Sequence, residues 1–288
     1  GPPMALPAGT VVVAYNAAIS RCARAGLYAR ALALFREMRG RGLRADEYTL
    51  PPLLNSAAQL RGPPEAVAAL HALLLRAGLA PHLHVANALV DAYARLPHAG
   101  AAAARAVFDE MPRRDVVTWT SLLTGLARAG AHGAAVRAYH GMVASGVQPD
   151  EFAVPAALSS CAASTALDLG RSVHAAAVRP GLRPFRSVGN SLVSMYAKTG
   201  ALRDARAVFD AMPARCTITW TALIVGYAQN GRGRQSLEVY ADMVRSGCRP
   251  DYVTFIGLLF ACSHAGLVDA GRAHFRSMVP VYGIAPGP

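Results

Sequence analysis

Residues 116 to 150 read V-V-T-W-T-S-L-L-T-G-L-A-R-A-G…M-V-A-S-G-V-Q-P-D, and residues 217 to 251 return as T-I-T-W-T-A-L-I-V-G-Y-A-Q-N-G…M-V-R-S-G-C-R-P-D. Trp119 matches Trp220, Thr120 matches Thr221, Gly130 matches Gly231 and Asp150 matches Asp251, all at an offset of 101 residues without a gap. A chain that repeats itself in this way must build the same local structure each time and bury each copy against its neighbours. An offset of 101 residues is too long for one such unit, so it contains several.

Matches between the echoes define these units. Glu47-Tyr-Thr-Leu-Pro-Pro-Leu-Leu corresponds to Glu151-Phe-Ala-Val-Pro-Ala-Ala-Leu, and Asn87-Ala-Leu-Val-Asp-Ala-Tyr-Ala to Asn190-Ser-Leu-Val-Ser-Met-Tyr-Ala. After a tail over 1–11, three unit types alternate along the chain: 12–46, 47–82, 83–115, 116–150, 151–185, 186–216, 217–251 and 252–287.

Each unit is expected to form two helices. In the fourth, Leu122, Leu123 and Leu126 recur at helical spacing up to Gly130, and Val136, Tyr139, Met142 and Val143 mark a second helix closed by Gly146 before the Pro149-Asp150 turn. Pro51 and Pro155 stand at the fifth position of their units, compatible with a first helical turn but offering no side-chain hydrogen bond. Those two units are therefore expected to supply packing, curvature or a protein-facing surface. His71 and His174 occupy matching places in second helices, which points to a structural role. Gly62-Pro63-Pro64 and Leu96-Pro97-His98 read as surface irregularities in turns. No polar capping helix precedes Val11 or follows the eighth unit. The chain is thus expected to be part of a longer protein, with exposed ends that could pair two copies into a homodimer.

Charge narrows the partners. The formal net charge is +12, carried almost wholly by arginine because Lys198 is the one lysine, and it points to a polyanion such as nucleic acid or an anionic membrane surface. No run of about 18 apolar residues suits a membrane span. The arginines are spread over all units instead of forming one basic amphipathic helix, so no membrane partner is expected. Cys22, Cys161, Cys216, Cys248 and Cys262 contain no C-x-x-C pair, and three of them fall at the eleventh position of a unit; buried free thiols in a reducing compartment are expected.

The unit V-V-A-Y-N…A-L-A-L-F-R-E-M-R-G-R-G-L-R-A-D from Val12 to Asp46 resembles the pentatricopeptide repeat. The alternation of unit lengths, with Val107-Phe-Asp-Glu-Met-Pro112, Val208-Phe-Asp-Ala-Met-Pro213 and Ala261-Cys-Ser-His-Ala-Gly-Leu-Val268, is similar to the PLS subclass of land-plant organelles. The resemblance implies an all-α fold, a right-handed superhelical solenoid of helix-turn-helix repeats. It also implies sequence-specific binding of single-stranded RNA in a mitochondrion or chloroplast, most often as a specificity factor for C-to-U editing. Partners would include multiple organellar RNA editing factor proteins, or a deaminase acting in trans.

The family's scheme sets the fifth and last residues of each unit against one base. Carried over, the pairs are Asn16 with Asp46, Asn87 with Asp115, Thr120 with Asp150, Asn190 with Cys216, and Thr221 with Asp251. A carboxylate only accepts hydrogen bonds, so it favours U and G, whose Watson–Crick edges carry a ring N–H, over C and A. Asn beside Asp then reads U, and the smaller Thr beside Asp leaves room for G. With the chain running 5′ to 3′ along the RNA, the expected target is U-x-U-G-x-Y-G-x, with Pro51, Pro155 and Ile256 leaving positions open and Cys216 weakening the sixth. Val13, His84, Val117, Ile218 and Val253, second residues of their units, are expected to act as shelves for the bases, whereas Ser187 makes a poor one. Taken one at a time, each Asn, Thr or Asp reads as a helix cap or a turn residue, and for a lone Asp after Pro that reading wins; five units that repeat both positions together favour base contact.

A zinc deaminase needs His-x-Glu and Cys-x-x-Cys, and neither occurs. With no phosphate-cradling loop, nucleophile elbow or ligand cluster in the sequence, the chain is expected to be no enzyme and to carry no cofactor or metal. Other readings are a tetratricopeptide-like protein scaffold, against which the unequal units and the positive charge argue, another organelle RNA-processing factor, and a nuclease or deaminase.

Overall fold

The computed structural model describes residues 8–60, 64–97, 100–178 and 186–287, and every regular element among them is helical. Arg61 to Pro63 and His98, at the two turn irregularities, lie outside the described residues, as does Phe185 at the end of the fifth unit. The chain packs as two bodies, Gly1–Val147 and Gln148–Pro288.

The N-terminal body holds α1 (Ala8–Arg24), α2 (Tyr28–Gly40), α3 (Leu50–Gln59), α4 (Pro64–Arg76), α5 (Leu83–Arg95), α6 (Gly100–Glu110), α7 (Val116–Arg128) and α8 (His132–Ala144). The C-terminal body holds α9 (Ala153–Ala163), α10 (Leu167–Val178), α11 (Arg186–Lys198), α12 (Leu202–Ala211), α13 (Thr217–Gln229), α14 (Gly233–Arg245), α15 (Tyr252–His264) and α16 (Val268–Tyr282). Each unit contributes two consecutive helices. Within each body the odd-numbered helices stack in one row, and each packs on the even-numbered helix that follows it. The core runs between the two rows, from Ile19, Met38, Leu53, Leu54 and Leu74 in one body and from Val193, Phe209, Leu223 and Phe255 in the other, all at most 1% exposed.

Helix starts follow from backbone chemistry. In the third, fourth, sixth, seventh and eighth units the first helix begins on the first residue of the unit. In the second it waits until Leu50, with Thr49 as N-cap. Pro51 and Pro52 have no N–H to give to the carbonyls of residues 47 and 48, so the first available bond is from Leu53 to Thr49. The fifth unit obeys the same rule: Pro155 cannot bond back to Glu151, and the helix is capped at Phe152, whose carbonyl accepts from Ala156 N–H at 3.3 Å. The first helix of the chain starts at Ala8, ahead of the expected unit boundary at Val12.

Turns inside the first, fourth, fifth, sixth, seventh and eighth units share one geometry. Ala131 N–H reaches back to Leu126 O at 2.9 Å around Gly130, whose φ is +75°. In the fifth unit Ala166 N–H reaches Cys161 O at 2.9 Å around Thr165, a β-branched residue held at φ +51° where sister units place glycine.

Junctions of the short units with the units after them recur in detail. Phe108 meets Trp119 edge-to-face at 4.6 Å, and Phe209 meets Trp220 at 4.7 Å. Arg114 and Arg215 lie over the same phenyl rings at 4.7 and 4.8 Å and donate to the carbonyls of Phe108 and Phe209, both at 2.9 Å. Next to them the first helices approach closely enough that a Cβ on Gly125 would run into Ala94, and one on Gly226 into Ala197.

Two expectations from apolar spacing need correction. Val143 is 39% exposed, because its position faces away from the neighbouring first helix while Tyr139 and Met142 take up the buried stripe. All five thiols are free, but only Cys161 and Cys262 are buried; Cys22, Cys216 and Cys248 are half-buried, the last two because they lie in turns. Burial pushes the Cys161 thiol up to about 11. His71 and His174 fill equivalent places, each bonded through Nδ1 to a tyrosine hydroxyl, Tyr93 at 3.1 Å and Tyr196 at 2.9 Å.

Candidate nucleic-acid interface

The unit-end residue and the fifth residue of the same unit meet because the next unit's first helix must be capped. Asp115 is extended, with φ −107° and ψ −176°, and its carboxylate accepts from Thr118 N–H at 2.9 Å while Thr118 Oγ1 accepts from Asp115 N–H at 3.1 Å. This reciprocal capping box satisfies two backbone donors that an α-helix leaves open. Asp251 and Thr254 repeat it at 2.8 and 3.2 Å, as do Cys216 and Thr219, with a thiol in place of the carboxylate. Asp46 accepts from Thr49 N–H at 2.9 Å, and Asp150 accepts from Ala153 N–H at 2.7 Å.

The cap brings the expected readers together. Asn16 Nδ2 donates to both oxygens of Asp46 at 2.9 Å, and Asn87 Nδ2 donates to Asp115 Oδ1 at 3.1 Å. Asn190 Nδ2 lies 3.6 Å from Cys216 Sγ. Thr221 meets Asp251 through a third residue, its Oγ1 being 2.7 Å from Thr254 Oγ1, which in turn lies 2.7 Å from Asp251 Oδ1. Thr120 and Asp150 fall in different bodies, Thr120 half-buried on α7 and Asp150 ahead of α9. Capping of the next helix and bonding of the fifth residue therefore use the same carboxylates at Asp46 and Asp115.

Electrostatics follow from these bonds. Burial pushes the Asp115 carboxyl up, but the bonds from the backbone and hydroxyl of Thr118, from Asn87 and from Val117 N–H outweigh it and hold the group below the ordinary carboxylate value. Cys216 behaves alike: burial raises its thiol, and bonds from Thr219, Asn190 and Ile218 N–H bring it below the usual thiol value.

The expected shelves stand out from the surface. Val13 is 66% exposed and Ile218 64%, with Val117 and Val253 a little over half; His84 is also exposed, its ring 6.1 Å from that of Tyr48. Ile218, Thr221, Asp251 and Val253 line one cleft of about 420 Å³ together with Lys198. An apolar wall, a buried hydroxyl, a carboxylate and a cation are thus assembled where a flat, polar-edged, anionic ligand would fit.

Sequence reasoning missed two sets of residues here. Tyr48 and Phe152, the second residues of the proline-bearing units, are each 66% exposed and project like the shelves. Thr49, Thr118, Thr219 and Thr254, fully buried, tie the reader pairs together. Their signal was present as D-x-x-T or C-x-x-T across four unit boundaries, with Ala153 the departure. No group of three or more His, Cys, Asp or Glu able to hold a metal occurs among the described residues, and no described helix is long and apolar enough to cross a membrane.

Consecutive helix pairs of about 35 residues, with a turn at four of the described junctions that returns a polar side chain to the preceding first helix, define a helical-repeat protein of the solenoid class. Residues 11–59, 114–162 and 215–264 match the PPR repeat family and residues 190–216 the PPR repeat, and the chain belongs to the pentatricopeptide repeat family.

Among its relatives, the pentatricopeptide repeat-containing protein At2g01510 of Arabidopsis thaliana is 37% identical over 274 residues, spanning 95% of this chain and 33% of the relative. At3g11460 of the same plant, designated mitochondrial, is 36% identical over 279 residues, 96% of this chain and 44% of the relative. The chain thus spans roughly a third to under half of these proteins. Its fold matches the crystal structure of the pentatricopeptide repeat protein PPR10 in complex with an 18-nt psaJ RNA element, with a TM-score of 0.81 at 22% identity over 99% of this chain and 42% of that one.

Proposed function

We propose that the chain is a sequence-specific single-stranded RNA-binding module that reads one base per repeat, and that it forms the recognition part of an organelle C-to-U editing factor of the PLS subclass. The observation that carries this reading is the cleft of Ile218, Val253, Thr221, Asp251 and Lys198. It offers stacking surfaces, an edge-reading pair and a phosphate partner, the three components that single-strand recognition uses. The recurrence of bonded fifth-and-last pairs at Asn16 and Asp46 and at Asn87 and Asp115 supports the same use along the chain. The net charge of +12 suits the RNA backbone. The editing chemistry itself would come from a deaminase acting in trans or from another part of the full-length protein. Multiple organellar RNA editing factor proteins are the partners proposed for the proline-bearing units, and the mitochondrion or chloroplast is the proposed compartment.

The test is affinity for an oligonucleotide containing U-x-U-G-x-Y-G-x against one with its defined U and G bases changed to C and A. A preference of about tenfold, or about 1.4 kcal/mol, that disappears when Thr221 and Asp251 are replaced supports the reading and its register. Equal binding of the two RNAs reduces the chain to a charge-driven binder, and no binding at low salt favours a protein scaffold.

A further inference from the structure

The base-reading asparagines do not set their own orientation. A carboxamide has two faces, an oxygen that accepts and a nitrogen that donates, and asparagine can engage adenine in a bidentate manner only by offering both. In this chain a threonine hydroxyl stands against that oxygen. Thr49 Oγ1 lies 2.7 Å from Asn16 Oδ1, Thr118 Oγ1 lies 2.5 Å from Asn87 Oδ1, and Thr219 Oγ1 lies 2.6 Å from Asn190 Oδ1. All three threonines are fully buried, and each hydroxyl oxygen accepts the backbone N–H of the preceding unit-end residue, at 3.1, 3.1 and 3.2 Å. With the hydroxyl oxygen serving as acceptor, its one proton goes to an acceptor of its own: for Thr49 and Thr118 the asparagine oxygen shares that proton with Oδ1 of Asp46 or Asp115, 2.8 Å away in both cases, whereas for Thr219 the rival to Asn190 is the weakly accepting Cys216 sulfur at 3.5 Å.

Asn190 separates the contributions. Asn16 and Asn87 are held from both sides, because a carboxylate also receives their Nδ2 at 2.9 and 3.1 Å. Asn190 faces only the sulfur of Cys216, at 3.6 Å, a weak acceptor. Its orientation therefore depends on Thr219.

We propose that Thr49, Thr118 and Thr219 are specificity-determining positioning residues that hold the reader asparagines with only the amide nitrogen toward the base, so that each donates to a base carbonyl and cannot make the two-bond contact with adenine. The inference rests on the base-reading proposal and adds to it residues that never touch RNA. Without the hydroxyl, the amide can turn over and present its oxygen to the adenine N6 amino group.

Thr219→Val removes the hydroxyl at nearly constant volume, and Thr219→Ser keeps it. Affinities are measured for RNAs that differ only in carrying U or A at the sixth base, with the discrimination at the seventh base followed in the same proteins as an internal reference. The expected result is a U-over-A ratio of about tenfold in the unaltered protein, a fall to threefold or less in Thr219→Val, recovery in Thr219→Ser, and an unchanged ratio at the seventh base. A purely structural role would weaken both RNAs alike and leave the ratio intact, and that result overturns the inference. If Thr219→Val fails to fold, Thr118→Val read at the third base takes its place, with a smaller loss expected because Asp115 still holds Asn87; an unchanged ratio there is equally fatal. A ratio near one in the unaltered protein overturns the base-reading proposal and this inference with it, whereas a ratio of about ten that survives removal of the hydroxyl overturns only the inference.

Discussion

Asp115, Asp251 and Asp46 each cap the next first helix, and each stands beside the residue proposed as a base reader, because the capping geometry itself turns the carboxylate toward the preceding unit. Cys216 caps with a sulfur, a weak acceptor for Asn190 and, on the same proposal, for a base. Replacing it tests the pairing logic by gain of function. Cys216→Asp supplies a strong acceptor beside Asn190, so the sixth base should narrow from either pyrimidine to U, with a U-over-C ratio of about tenfold by equilibrium binding, within the range of about 1–3 kcal/mol expected of a good paired contact. A ratio that stays near one would mean that the unit-end residue does not face a base. The capping box should also tighten, so the substitution is not expected to lower the melting temperature.

At the scale of elements, the helices are set by short-range chemistry, and most of it could be read in the sequence. The leucine spacing of α7 and the closing glycines define the helix pairs from sequence alone. The late start of α3 and α9 was also implicit in Pro51, Pro52 and Pro155, once the lost N–H donors are counted. What stayed hidden depends on contacts between units. Whether Val143 is covered is decided by a neighbouring helix pair, and the threonines at the third position look like ordinary polar residues until the fold sets them against Asn16, Asn87 and Asn190. Thr165 shows a place where an element bears a local cost. A β-branched residue in the left-handed region is disfavoured by about 1–2 kcal/mol, so Thr165→Gly should stabilise the protein by about 1 kcal/mol, less the greater chain entropy of glycine when unfolded. Chemical denaturation checks this, and a loss of stability would show that the Thr165 side chain makes contacts worth more than its strain.

For the molecule as a whole, the charge needs dividing before it is assigned to a partner. Arg114 and Arg215 are spent on phenylalanine rings and helix-end carbonyls, Arg105 and Arg206 pair with Asp109 and Asp210 at 2.9 Å, and Arg171 pairs with Asp204 at 2.9 Å. Fewer arginines than the composition suggests are thus free to meet phosphates. Neutralising four to eight phosphates of a single strand gives a slope of log affinity against log salt between about −3 and −6. A salt titration with the matched RNA should fall in that range, and a slope near zero would remove the backbone from the binding energy.

The glycine seams at Gly125 against Ala94 and Gly226 against Ala197 bear on a practical matter. A repeat whose proposed base preference rests on two side chains invites transplantation from one protein to another. Here the donor unit carries a notch in its first helix that accepts only a methyl group from the unit before it. A graft of residues 217–251 behind a host repeat with a larger side chain at the place of Ala197 would collide before it could read anything, so the transferable cassette is a unit together with the helix it leans on.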